Sequence, residues 1–145
     1  MDPESMVDAL TQITKLLKPD GLLIDIHPQD IILPIYVQIG AATTEIGAID
    51  VESKFAKYRR ADEAINIVVQ NETYSLRHKT VVDFLIYFDT VAECRQYLEE
   101  EWSDAKLSES NWAHMKFLMS QGNAFKQIFY SEGVKFCCLA PASAS

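Results

Sequence analysis

No stretch of this chain approaches the roughly 18 uninterrupted apolar residues that a membrane-spanning helix needs. Residues Met1 to Asp8 are acidic where a secretory leader would be basic. The expectation is a soluble cytoplasmic protein with no membrane partner. Cysteine is scarce and odd in number, with only Cys94, Cys137 and Cys138. A self-contained disulfide framework needs an even, spaced set and is excluded, which leaves three buried thiols. Adjacent strand residues face opposite ways, so Cys137 and Cys138 cannot share a metal ion, and with no CxxC, HExxH or EF-hand spacing in the chain no metal is expected.

Glycine is equally sparse. Gly21, Gly40, Gly47, Gly122 and Gly133 are the whole set, and no two stand at GxG spacing, so a phosphate-cradling loop is lacking. Positive charge is outnumbered, with 13 Lys and Arg against 21 Asp and Glu and a formal net charge of −8. A polyanion would be repelled at long range, and no nucleic-acid partner is expected. The densest basic group, Lys54, Lys57, Arg59 and Arg60, is interleaved with Asp50, Glu52, Asp62 and Glu63 and reads as a solvated helix face. With no GxSxG elbow and no recognisable partner for Cys94, no catalytic residue can be assigned.

What the chain does contain is ordinary globular material, 48% hydrophobic and 23% charged over 145 residues, a length that suits a single domain spanning 1–145. Asp2 with Pro3, or Ser5 with Asp8, starts a helix that carries Met6, Leu10, Ile13, Leu16 and Leu17 on one stripe and stops at Lys18 before Pro19. Leu22 to Ile26 reads as a central strand, apolar on both faces. Ile31 to Ile39 and Thr43 to Ile49 suggest a hairpin, with Pro34 confining the first arm to an edge or a bulge. Ser53 to Gln70 is amphipathic and helical, and Leu76 to Phe88 forms a long β-prone run. Thr90 and Glu93 make a capping box for a third helix, Ser108 or Ser110 caps a fourth, and Phe125 to Leu139 returns as strand, pinched at Ser131 to Gly133 before a fraying tail from Ala140.

The passage Leu16-Leu17-Lys18-Pro19-Asp20-Gly21-Leu22-Leu23-Ile24-Asp25 resembles the helix-to-strand entry into the fifth strand of class I S-adenosylmethionine-dependent methyltransferases. The resemblance implies an α/β fold: a partial Rossmann-like sheet, mixed, with an antiparallel C-terminal strand between its neighbours, plus hairpin and helical insertions. Only the C-terminal half of that family's fold is represented, because the glycine-rich cofactor loop has no counterpart. It therefore implies a methyltransferase-like protein without autonomous catalysis. No cofactor is expected for the isolated chain, and S-adenosylmethionine enters only if a partner supplies the missing half. A sheet cut beside Leu22 to Ile26 leaves an open edge, which implies a homodimer or a separate N-terminal half paired there.

Two rival readings share the same residues: a small α+β ligand-binding module with an aromatic-lined pocket, and a structural oligomerisation subunit. His27 ends the first strand two residues after Asp25, on the same face, and with Asp30 nearby forms one substrate-binding candidate. A histidine held by hydrogen bonds is the plainer alternative. Tyr58, Arg59 and Arg60 are the second candidate set.

Overall fold

The computed structural model describes residues 2–29, 32–50, 52–101 and 107–142, leaving out the side chains of 52–55. Its elements are α1 (Pro3–Thr14), β1 (Leu23–Pro28), β2 (Leu33–Ile39), β3 (Ala42–Ile49), α2 (Glu52–Gln70), β4 (Tyr74–Phe88), α3 (Val91–Glu101), α4 (Glu109–Met119) and β5 (Lys126–Pro141). The architecture is α/β, with a five-stranded antiparallel sheet ordered β1-β5-β2-β3 and with β4 also paired to β5. Among the described residues, no helix is long and apolar enough to cross a membrane. Two compact units share this chain: Met1–Asp30, Lys54–Val82 and Gly133–Ser145 form one, Ile31–Ser53 and Asp83–Glu132 the other.

In the first unit, Asp2 caps α1 by accepting from the Ser5 N–H at 2.9 Å, with Pro3 inside the first turn. The helix ends at Thr14, four residues before the predicted stop. Lys15 and Leu16 bond only three residues back, to Gln12 and Ile13, and the Thr14 hydroxyl bonds the Thr11 carbonyl at 2.6 Å. Leu16 consequently leaves the apolar stripe and stands 83% exposed. Helix α2 buries Ala64, Ile65 and Val68, and the core of this unit joins Ile65 and Val68 to Tyr74 and Leu139 beneath Leu10 of α1.

Strand β1 corrects one expectation and meets another. It is not covered on both faces: Leu23, Asp25 and His27 face inward, while Ile24 and Ile26 are more than half exposed. It ends the strand order, and the sheet is antiparallel, not mixed. The C-terminal strand nevertheless does run antiparallel beside it, Leu23 opposite Leu139 and His27 opposite Lys135, and β5 lies between β1 and β4.

In the second unit, β2 and β3 form the predicted hairpin, turning on Gly40 at φ 57°, a left-handed conformation that costs glycine little. Of the edge or bulge that Pro34 signals, β2 shows the irregularity and not the edge. The strand lies between β5 and β3, but its pairing with β5 begins only at Ile35, and a register shift separates Ile35 from Tyr36. The missing proline donor thus falls where only β3 is beside it. Cys94 and Leu98 of α3 and Trp112 and Met115 of α4 are buried as their spacing predicts. Gly47 gives α4 room, since a Cβ there would sit 2.3 Å from Asn111 Nδ2.

The capping box at α3 is half reciprocal: Thr90 accepts from the Glu93 N–H, but the Glu93 carboxylate accepts from Asp89. The acidic end of α3 finds its basic neighbour in Arg95, which pairs with Glu99 at 3.5 Å and Glu109 at 2.9 Å and lies over the Trp112 ring. The pinch at Ser131 to Gly133 is where β5 changes partners, from β2 up to Tyr130 to β1 from Val134. The strand continues to Pro141 with Ala140 buried, so these two residues belong to β5 and not to a fraying tail.

The buried Tyr74 hydroxyl donates to the Leu10 carbonyl at 2.6 Å and so ties β4 to α1. Tyr74→Phe is expected to cost about 1 kcal/mol. This is read as a lower urea midpoint at unchanged slope; an unmoved midpoint would show that this bond adds nothing.

Candidate functional site

Strand periodicity puts Asp25 and His27 on one face of β1, and antiparallel register sets Lys135 opposite His27. Helix α2 passes over that face and lowers Asp62 onto it. The result is a chain of four charged groups. His27 Nδ1 lies 2.5 Å from Asp25 Oδ2, His27 Nε2 lies 2.7 Å from Asp62 Oδ1, and the Lys135 ammonium donates to that same Asp62 oxygen at 2.7 Å.

Carboxylate oxygens only accept, so each ring nitrogen of His27 must donate, and the ring is an imidazolium. The hydrogen bond to Asp25 lifts its pKa above the ordinary 6.5, against the opposing effect of burial, and the bond to Asp62 lifts it further. Burial by itself would raise the Asp62 carboxyl, but the bonds from Lys135 and His27 outweigh it and hold Asp62 below the ordinary 3.8. With both nitrogens occupied, His27 has no lone pair with which to take a proton, so it is no general base in this arrangement. Two negative and two positive groups cancel, and the network is neutral as a whole.

Beside it opens a cavity of about 240 Å³. Its polar lining residues are Asp62, Asn66, Gln70, Lys79 and Lys135, and Ile65, Val69, Leu76 and Cys137 complete the wall. Helical spacing explains five of these, since Asp62, Asn66 and Gln70 recur at four-residue steps along α2, as do Ile65 and Val69. The Cys137 thiol is pushed up by burial and then by the Asp25 charge, which makes it a poor nucleophile. A second recess, beneath α1, has Asp25 as its single polar lining residue and offers no donor. Among the described residues no group of His, Cys, Asp and Glu converges to hold a metal ion.

Of the predicted site residues, His27 is here, held by hydrogen bonds as the plainer reading had it. Asp30 lies outside the described residues. Tyr58 is half-buried and Arg59 and Arg60 are exposed on the stretch of α2 before Asp62, and none of the three lines the cavity. Asp62, Lys79 and Lys135 were not singled out from the sequence. Asp62 stands 35 residues from His27 and 73 from Lys135, and no local spacing marks a contact across such distances.

Comparison with protein-family models, with curated proteins and with solved structures finds no match.

The network fixes a pH dependence. His27 binds its proton more tightly folded than unfolded, so its contribution is complete below about pH 6.5 and is lost as the pH rises through the elevated folded value. Asp62 acts oppositely: its contribution is present above about 3.8 and is lost as the pH falls through the depressed one. Unfolding free energy measured against pH should therefore decline on the alkaline side of 6.5, and His27→Gln should flatten that limb. An unchanged alkaline limb in the variant would remove His27 from the account.

Proposed function

We propose that this protein is a small ligand-binding module whose cavity beside Asp62 and Lys135 takes a small monoanion with an apolar body. The observation that carries this reading is the charge count around the cavity. The four-group network sums to zero, and Lys79 adds one positive charge to the lining of a chain whose net charge is −8. The Lys135 ammonium gives one of its three donors to Asp62 and retains two. Asn66 and Gln70 add amide donors, while Ile65, Val69 and Leu76 offer apolar contact. The volume lies a little below the roughly 300–1,000 Å³ of drug-sized sites, which favours a compact ligand.

Strand order gives some support to the other reading, a methyltransferase-like subunit that acts within an assembly. β5 stands between β1 and β4, the place that the resemblance implies for an antiparallel last strand. In that reading S-adenosylmethionine would be bound only with a partner.

Calorimetric titration of the whole chain with hexanoate, hexanol, hexylamine and S-adenosylmethionine separates these readings. Hexanoate is expected to bind saturably and at least about tenfold more tightly than hexanol, the worth of one charge-assisted hydrogen bond. Lys79→Gln should remove most of that preference. Hexanol or hexylamine binding as well as hexanoate would sink the monoanion reading, and saturable heat from S-adenosylmethionine alone would replace it with the methyltransferase-like one.

A further inference from the structure

Strand β4 is 15 residues long and pairs, among the described strands, with β5 alone. Every residue from Ser75 to Leu85 is exposed, on both faces, and the apolar ones are large: Leu76 43%, Val81 41%, Val82 42%, Phe84 47% and Leu85 50%. An edge of this length and composition leaves a row of backbone donors and acceptors without strand partners beside apolar side chains. The open edge of β1 is weaker as a template. It has six residues, and Pro28 has no N–H to offer.

The side chains of β4 say which strand suits this edge. Its exposed stretch is centred on Thr80, with Arg77 and Lys79 before that residue and Asp83 after it. Among the described residues neither Arg77 nor Asp83 makes an ion pair. Laid antiparallel on itself about Thr80, the strand sets Arg77 opposite Asp83 of the copy, Leu76 opposite Phe84, His78 opposite Val82 and Lys79 opposite Val81. By symmetry each unlike pair occurs twice. No like charges face one another, and all of the exposed stretch is used. Parallel self-pairing in register would stack Arg77 on Arg77 and Asp83 on Asp83, which is repulsive.

We infer that a second copy of this chain pairs with the outer edge of β4, antiparallel about a two-fold axis at Thr80, with Arg77 and Asp83 selecting the register. The seam shares Leu76 and Lys79 with the cavity lining, but Arg77 and Asp83, which select the register, lie outside it, so their reversal tests the pairing apart from the ligand. It extends the sheet by main-chain hydrogen bonds, with cross-strand side chains supplying specificity.

Sedimentation of the 145-residue chain over a range of micromolar concentrations tests this, together with charge reversal. The wild type is expected to show a concentration-dependent dimer. Arg77→Asp sets like charges opposite each other at two symmetry-related places and should raise the dimer dissociation constant by about tenfold or more. Asp83→Arg should do the same, and the double variant Arg77→Asp with Asp83→Arg should restore the wild-type value. Far-ultraviolet circular dichroism of each variant checks that the monomer is folded, and recovery in the double variant guards against a mere folding defect. A wild type that stays monomeric throughout would overturn the inference and leave Arg77, Lys79 and Asp83 as charges that protect the edge against pairing. So would dimers that single reversal does not weaken, or a double variant that fails to recover.

Discussion

Strand β5 is the constraint on which the structure depends. Among the described strands it alone pairs with three others, β1 and β2 in succession and also β4. Backbone groups buried without partners would cost about 1–3 kcal/mol each, and β5 avoids this by having company along its length. The change of partner at Ser131 to Gly133 allows two short strands, separated in sequence, to share one long one. Its inward side chains Ile128, Tyr130, Cys137 and Leu139 are all buried, and it also delivers Lys135 to the polar network.

The network itself shows how a charged group is kept inside. An imidazolium as buried as His27 would be costly alone, but carboxylates on either side and a lysine beyond them leave no charge uncompensated. Removing His27 would leave the half-buried Asp25 without its partner, and removing Asp62 would do the same to Lys135. The arrangement joins α2 to β1 and β5 through side chains, in addition to the apolar contacts of Ile65 and Val68. It also holds the polar side of the cavity, because Asp62 and Lys135 belong to both.

Local patterns made the elements legible in the sequence. Helical spacing marked α2, Thr90 with Glu93 marked the start of α3, Ser108 marked α4, and branched and aromatic residues marked β4. Leu22 to Ile26 misled because a nearly continuous apolar run reads as burial on both sides, whereas Ile24 and Ile26 face outward. Pro34 signalled an edge or a bulge, and of the two it is the irregularity at Ile35 and Tyr36 that the strand adopts, in an interior position where one of its two neighbours has not yet begun. Of the site, Asp25 and His27 were legible because two-residue spacing is a local fact. Asp62 was hidden among the charges of α2, and Lys135 gained its meaning only from a register between distant strands.

The three cysteines are free, and Cys94 is wholly enclosed, its thiol pushed up to about 12 by burial and then by Glu93. At neutral pH it is neither ionised nor reachable, so an alkylating reagent can meet it only when α3 lifts away from its packing. The pace of its labelling is therefore a clock for the breathing of that helix, already built into the natural chain.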